Sequence, residues 1–179
     1  MTTQAVLQRL TARELPLCRR INRLSRRRSV ERFFARVSWL GDGVFWYLLM
    51  LLLPFVYGPS AWNTVAEMAL VGTINLLIYR RLKGTTLRQR PFRMDAGIHL
   101  GAPPLDAYSF PSGHTMHAVG FSTVLVTQFP VLGWLVIPFA VLVALSRVIL
   151  GLHYPSDVAA GALLGTVTSI AVGMLGPFI

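Results

Sequence analysis

The chain of 179 residues has one cysteine, Cys18, and one lysine, Lys83, and only seven acidic residues stand against seventeen basic ones. A single cysteine excludes an internal disulfide. Internal repeats, low-complexity tracts and glycine-serine linkers are also missing, which points to one structural domain. The arginine-rich start lacks the apolar core of a cleavable signal peptide, so insertion is expected to rest on the first long apolar run itself. Apolar residues, by contrast, are abundant: they make up 54% of the chain, and the mean hydropathy of +0.56 is high for a water-soluble globule.

Five apolar runs, at roughly 41–57, 62–79, 115–130, 131–150 and 158–178, approach the ~20 residues that a membrane-crossing helix needs. The expected fold is an all-α membrane protein, a bundle of about five transmembrane helices preceded by an amphipathic interfacial helix. Pro54 and Pro138 lie inside two of the runs, where kinks are expected and neighbouring helices re-satisfy the freed backbone groups. Gly161, Gly165 and Gly173, with Ala159, Ala160 and Ala162, give the last run a small-residue face suited to close packing. Composition divides the chain into a basic amphipathic interfacial segment, 1–40, and a membrane-embedded core, 41–179.

Charge is confined as well as unbalanced. Ten basic residues fall between Arg9 and Arg36 and six between Arg80 and Arg93, and the last is Arg147. The stretch LPLCRRINRLSRRRSVERFFARVS cannot span lipid as a whole, because each arginine at a bilayer centre costs about 2.5–3.5 kcal/mol. Leu15, Leu17, Ile21, Leu24, Val30, Phe33, Phe34 and Val37 form an intermittent apolar stripe, so the segment is expected to lie on the bilayer with its arginines on anionic headgroups. A nucleic-acid partner is not expected, since a basic segment adjoining a span reads first as a topology signal or lipid contact. With five spans, the N-terminus, the 80–113 connection and the 147–157 connection share one face.

Three clusters of polar residues meet that face. YRRLKGTTLRQRPF closes the second run and contains Lys83, Arg90 and Pro91; read alone, it is a basic border loop. Lys83 is nonetheless a lone compact point charge in a chain that otherwise uses arginine. PSGH, with Ser112, Gly113 and His114, precedes the third run and reads as a helix start. Free N–H groups at such a start also make an anion site, which Gly113 lets a phosphate approach closely. SRVILGLHYPSD places Arg147 at the end of the fourth run, His153 in a connection and Asp157 at the start of the fifth. Each has an ordinary reading as anchor, turn residue or cap, but those readings leave unexplained why all of them converge. Three cations, two histidines and a carboxylate around a helix N-terminus describe a site for group transfer from a multiply charged anion. No cofactor is expected, and the ligand spacing does not favour a metal.

Together the clusters resemble the type 2 phosphatidic acid phosphatase family, whose signature is K-x6-R-P, P-S-G-H and S-R-x5-H-x3-D. Every specified position is matched here, in order and with the internal spacings, between Lys83 and Asp157. The resemblance implies a metal-independent membrane lipid phosphatase. In it His153 is the nucleophile that forms a phosphohistidine, and His114 is the acid and then the base. Asp157 orients His153, and Lys83, Arg90, Ser112, Gly113 and Arg147 hold the phosphate. The implied substrates are polyprenyl diphosphate, phosphatidylglycerol phosphate, phosphatidic acid and lipid A phosphates. The short 92–110 connection leaves little protein for a large headgroup pocket and favours a small phosphate or diphosphate, and the resemblance puts undecaprenyl diphosphate first because that role is common among small members of the family. A lipid phosphotransferase and a non-enzymatic lipid-binding protein are the rivals, and the oligomeric state is left open. The resemblance implies six spans and an outward-facing site in an inner membrane, whereas the positive-inside rule places the arginine-rich face in the cytoplasm. His117, one turn after His114, is expected to line the entrance or pack, His99 to be solvated, and Glu67 to stand apart from the clusters.

Overall fold

The computed structural model describes residues 3–175, which are mostly helical. Helix α1 (Thr3–Asn22) and a short 3-10 turn lead into α2 (Arg28–Trp39), which continues through a π-helical turn, Leu40–Val44, into α3 (Phe45–Tyr57). Next come α4 (Ala61–Thr86), the single turn α5 (Pro91–Met94), α6 (Gly113–Gln128), α7 (Gly133–Ile149) and α8 (Pro155–Leu175). Among the described residues there is no strand, only an isolated antiparallel bridge between Gln89 and Tyr108.

Four helical runs are long and apolar enough to cross a membrane: Arg28–Tyr57, Ala61–Thr86, Pro130–Ile149 and Pro155–Leu175. The third expected run forms α6, which at 16 residues is shorter than these and lies at the bundle centre against α4, α7 and α8. Surfaces turned away from α6 carry Phe55, Trp134 and Leu163, large apolar side chains that are mostly exposed and therefore suited to lipid. The small-residue face of α8 is used against α6. A Cβ on Gly161 would lie 2.6 Å from the Ser112 carbonyl oxygen, and one on Gly165 would collide with that of Met116. Ser169 adds a hydrogen bond from its hydroxyl to the Gly120 carbonyl at 2.8 Å. Gly173 faces Glu67 instead.

The basic N-terminal stretch divides in two. Helix α1 lies across the end of the bundle, with Cys18 and Leu15 packed on Ile98, Tyr154 and Phe92. Helix α2 belongs to the first span, so the composition border at residue 40 falls inside a continuous helical run. Thirty residues of helix are about 45 Å long, more than the ~30 Å hydrocarbon layer, so the run is long enough to cross that layer with its arginine-bearing first turns left over. The π turn carries Gly43 at φ 141°, a conformation closed to most side chains, and widens the helix where Asp42 enters the site. Glu67 pairs with Gln128 at the last residue of α6, away from the polar clusters.

Candidate active site

Local backbone chemistry delivers each cluster to one end of the bundle. Helix α4 stops at Leu87, whose left-handed conformation (φ 49°) turns the chain out of the helix four residues after Lys83. The following Arg88, Gln89 and Arg90 are held extended by the Gln89–Tyr108 bridge and a hydrogen bond from Ser109 N to the Arg88 carbonyl at 2.8 Å. Residues two apart in an extended stretch share a face, and both guanidinium groups point toward the segment 153–157. Pro91 then starts α5. At the end of α7, Leu152 N and His153 N both donate to the Arg147 carbonyl at 3.0 Å. Gly151 takes φ 74°, where a Cβ would lie 2.8 Å from the His99 carbonyl, and this tight turn sends His153 inward. Asp157, in the first turn of α8, accepts a hydrogen bond from Tyr154 N at 2.9 Å, so it caps the helix and faces the histidine at once.

These groups surround a cavity of about 440 Å³ lined by Lys83, Arg90, Gly113, His114, Arg147 and His153. Its wall continues between α3 and α4 through Met50, Met68, Ala69 and Leu76, an apolar track leading from the charged end toward lipid. The nucleophile candidate His153 is 2% exposed, with Nε2 3.2 Å from Arg90 Nη1. Its Nδ1 lies 3.6 Å from Asp157 Oδ2, within ion-pair range but beyond a hydrogen bond, and has no hydrogen-bond partner among the described residues. Burial first, and then the charges of Arg90, Arg147 and Lys83, hold its pKa well below the usual histidine value, so the ring is neutral. On the α6 side, His114 Nε2 lies 3.4 Å from Asp42 Oδ1. Arg147, also buried, donates to Ser38 Oγ from Nη1, and its Nε has no partner among the described residues.

Lys83, Arg90, Gly113, His114, Arg147 and His153 are thus brought together at the cavity wall, with Asp157 directly behind His153. Ser112 is placed differently. It is fully buried, its hydroxyl is paired with Thr115 Oγ1 at 2.9 Å, and its N–H donates to the Asp157 carbonyl at 3.0 Å, so it joins α6 to α8 behind the wall. His117 both lines the cavity and packs, with Nδ1 2.9 Å from the Gly113 carbonyl and Nε2 3.2 Å from the Gly72 carbonyl. His99 is paired with Glu31 at 2.9 Å rather than simply solvated, because α2 passes the connection that carries it.

Four charged residues that sequence reading left aside complete the site. Asp106 bridges Lys83 and Arg90, and Asp42 approaches His114. Arg88, nearly buried, donates to Asp157 Oδ1 at 2.6 Å and to Glu14 Oε2 at 2.9 Å, and it lies 4.0 Å from the Tyr154 ring centroid. Glu14 in turn accepts from Ser156 N at 2.8 Å, which fastens α1 to the first turn of α8. The one signal available in advance was the scarcity of acids in so basic a chain: each of these three carboxylates sits beside a site cation or histidine.

A family model described as the PAP2 superfamily matches residues 60–175, most of the chain and all three clusters. The chain belongs to the PAP2 superfamily. The decaprenylphosphoryl-5-phosphoribose phosphatase of Mycobacterium tuberculosis is 30% identical over 145 residues, covering 78% of this chain and 77% of that one. The undecaprenyl-diphosphatase BcrC of Bacillus subtilis is 31% identical over 130 residues, covering 72% and 65%. Among solved structures, Aquifex aeolicus LpxE superposes with a TM-score of 0.76 at 29% identity, covering 90% of this chain and 94% of that one. A PAP2-type phosphatidylglycerolphosphate phosphatase from Bacillus subtilis superposes with a TM-score of 0.70 at 26% identity, covering 98% and 94%. This PAP2 chain is a multi-pass membrane protein and a lipid phosphatase, as the clusters imply.

Proposed function

We propose that this PAP2 phosphatase removes phosphate from a polyprenyl-carried phosphate or diphosphate, with undecaprenyl diphosphate as the preferred substrate, through a phosphohistidine on His153. The observation that carries the reading is the neutral, buried His153 set at one wall of a cavity whose other walls hold Lys83, Arg90, Arg147 and His114. Neutral Nε2 supplies the lone pair that attacks phosphorus, and His114 protonates the departing oxygen. His114 then takes the proton of the water that releases phosphate. Asp157 stabilises the positive charge that develops on His153, and Arg88 and Tyr154 N keep the carboxylate in place. The cations stabilise the phosphoryl oxygens, and the amides at the start of α6 beside Gly113 add donors. Side chains supply all the positive charge that this chemistry needs.

The apolar track between α3 and α4 supports a substrate whose tail remains in lipid while its headgroup reaches the charged end. The two named relatives act, by name, on decaprenyl- and undecaprenyl-linked phosphates, which supports the polyprenyl class. Purified protein should release phosphate from undecaprenyl diphosphate or decaprenylphosphoryl-5-phosphoribose faster than from phosphatidic acid, phosphatidylglycerol phosphate or lipid A, equally with and without chelator. Faster turnover of a glycerolipid phosphate would overturn the substrate class, and loss of turnover in chelator would overturn the mechanism.

The placement of α1 supports a cytoplasmic site, because Glu14 binds Arg88 and Ser156 and so puts the arginine-rich N-terminus on the active-site face. The turn between α3 and α4 then faces outward. Ser60→Cys is expected to react with an impermeant maleimide added to intact cells. Cys18, the one native cysteine, is fully buried, and burial foremost pushes its thiol up to about 12, so it gives no background. Labelling only after lysis would place the site outside.

A further inference from the structure

The phosphate site contains an anion of its own. Asp106 Oδ2 accepts from Lys83 Nζ at 2.5 Å, Oδ1 accepts from Arg90 Nη2 at 2.8 Å, and the Asp106 carbonyl accepts from Arg90 Nε at 3.0 Å. Arg90 Nη1 donates to the Leu152 carbonyl at 2.9 Å and lies 3.2 Å from His153 Nε2, where the nucleophile's lone pair receives an N–H. Two of the cations expected to hold substrate phosphate are therefore occupied by the protein, and the attacking atom is covered. Asp106 lies in the connection between α5 and α6, lines the cavity and keeps a third of its side chain exposed (33%), so it has room to leave. Burial alone would raise its carboxyl, but the hydrogen bonds and charges of Lys83 and Arg90 outweigh it and hold the group below the ordinary carboxylate range, so it stays ionised.

We propose that Asp106 is a tethered counter-anion that a substrate must displace, and that it makes the site selective for dianionic phosphate over the singly charged phosphodiesters of ordinary membrane lipids. This rests on the phosphatase reading given above. Exchange of one carboxylate charge for one phosphodiester charge offers no electrostatic gain, and the tether gives Asp106 a high local concentration. A phosphomonoester carries a charge of about −1.5 to −2 at neutral pH and offers three acceptor oxygens, so it gains on both counts. A site at the membrane border is surrounded by phosphodiester headgroups, so rejecting them requires a penalty of this kind. Once Asp106 has left, Lys83 and Arg90 turn to phosphate and the Arg90 contact with His153 Nε2 opens for attack.

Methyl phosphate and dimethyl phosphate are nearly alike in size and differ in charge, so their inhibition constants against the purified full chain test the proposal. In the wild type, methyl phosphate should inhibit competitively and dimethyl phosphate should be at least about tenfold weaker, the equivalent of one charge-assisted hydrogen bond. In Asp106→Asn the two constants should converge, because dimethyl phosphate improves, and phosphatidylglycerol added to the micelles should become an inhibitor. Equal inhibition of the wild type by both esters, or an unchanged ratio in Asp106→Asn, overturns the proposal. A fall in kcat with the ratio preserved reduces Asp106 to a positioning residue. If Asp106→Asn does not fold, Asp106→Glu decides: it keeps the charge and should keep the discrimination, and loss of discrimination there overturns the proposal. Failure of the phosphatase reading looks different, since the wild type would then turn over no lipid phosphate.

Discussion

Replacing His153 with alanine is expected to lower phosphate release by at least ~10⁴-fold and to eliminate any acid-labile phosphoenzyme, because the covalent route loses its attacking atom. His153 is nearly inaccessible, and of the three histidines that line the cavity it is the one set against Arg90, with Nε2 3.2 Å from Arg90 Nη1. Its pH behaviour provides an independent check. Since burial and the charges of Arg90, Arg147 and Lys83 depress its pKa, the neutral form persists below the pH at which an ordinary histidine protonates. With an aryl phosphate, whose leaving group needs no proton from His114, single-turnover phosphoenzyme formation by the wild type should therefore stay flat as the pH falls through the normal histidine range, and decline only in more acidic solution. The folding linkage has the same sign. A histidine whose folded-state pKa is depressed opposes folding as the pH drops below its unfolded value, so stability should fall on the acid side of neutrality. Turnover by His153→Ala within a factor of ten of the wild type, or a trapped phosphoenzyme in that variant, would remove His153 from the mechanism.

For His114→Ala the expected loss is ~10²- to 10⁴-fold on a lipid phosphate, the range for one general acid or base, and its form is diagnostic. His114 lies across the cavity from His153, held 3.4 Å from Asp42 Oδ1, so it is placed to serve the leaving oxygen and then the water. A good leaving group needs no proton. With an aryl phosphate the variant should form phosphoenzyme at close to the wild-type rate, release a burst of phenol equal to the enzyme present, and then stall for want of a base. Lipid phosphate should show slow chemistry and no burst. Equal impairment of the burst with both substrates would assign His114 to binding instead.

Much of this was legible along the chain. The spans follow from apolar length, and the clusters follow from fixed spacings between Lys83 and Arg90, within PSGH, and from Arg147 through His153 to Asp157. Such spacings act through local backbone geometry. The left-handed Leu87 and the Gly151 turn need only their near neighbours, and Asp157 caps α8 through a residue three positions away. Even the tight α6–α8 contact is announced by Gly161 and Gly165, since absent side chains are visible in a sequence.

The carboxylates were a different matter. Glu14 meets Ser156 from 142 positions away, Arg88 meets Asp157 from 69, and Asp106 returns 16 and 23 positions to Arg90 and Lys83. Ser112 reads as a phosphate ligand in sequence, yet it is turned to Thr115 because α8 takes its backbone N–H. Hydropathy and short-range spacing act within a few residues, and they determined on their own the membrane fold and the residues of the three candidate clusters. The partner of each charge depends on which helix ends become neighbours when the bundle packs. Tertiary structure alone therefore decided that Arg88 fixes Asp157, that α1 is fastened to the first turn of α8, and that Asp106 stands between Lys83 and Arg90.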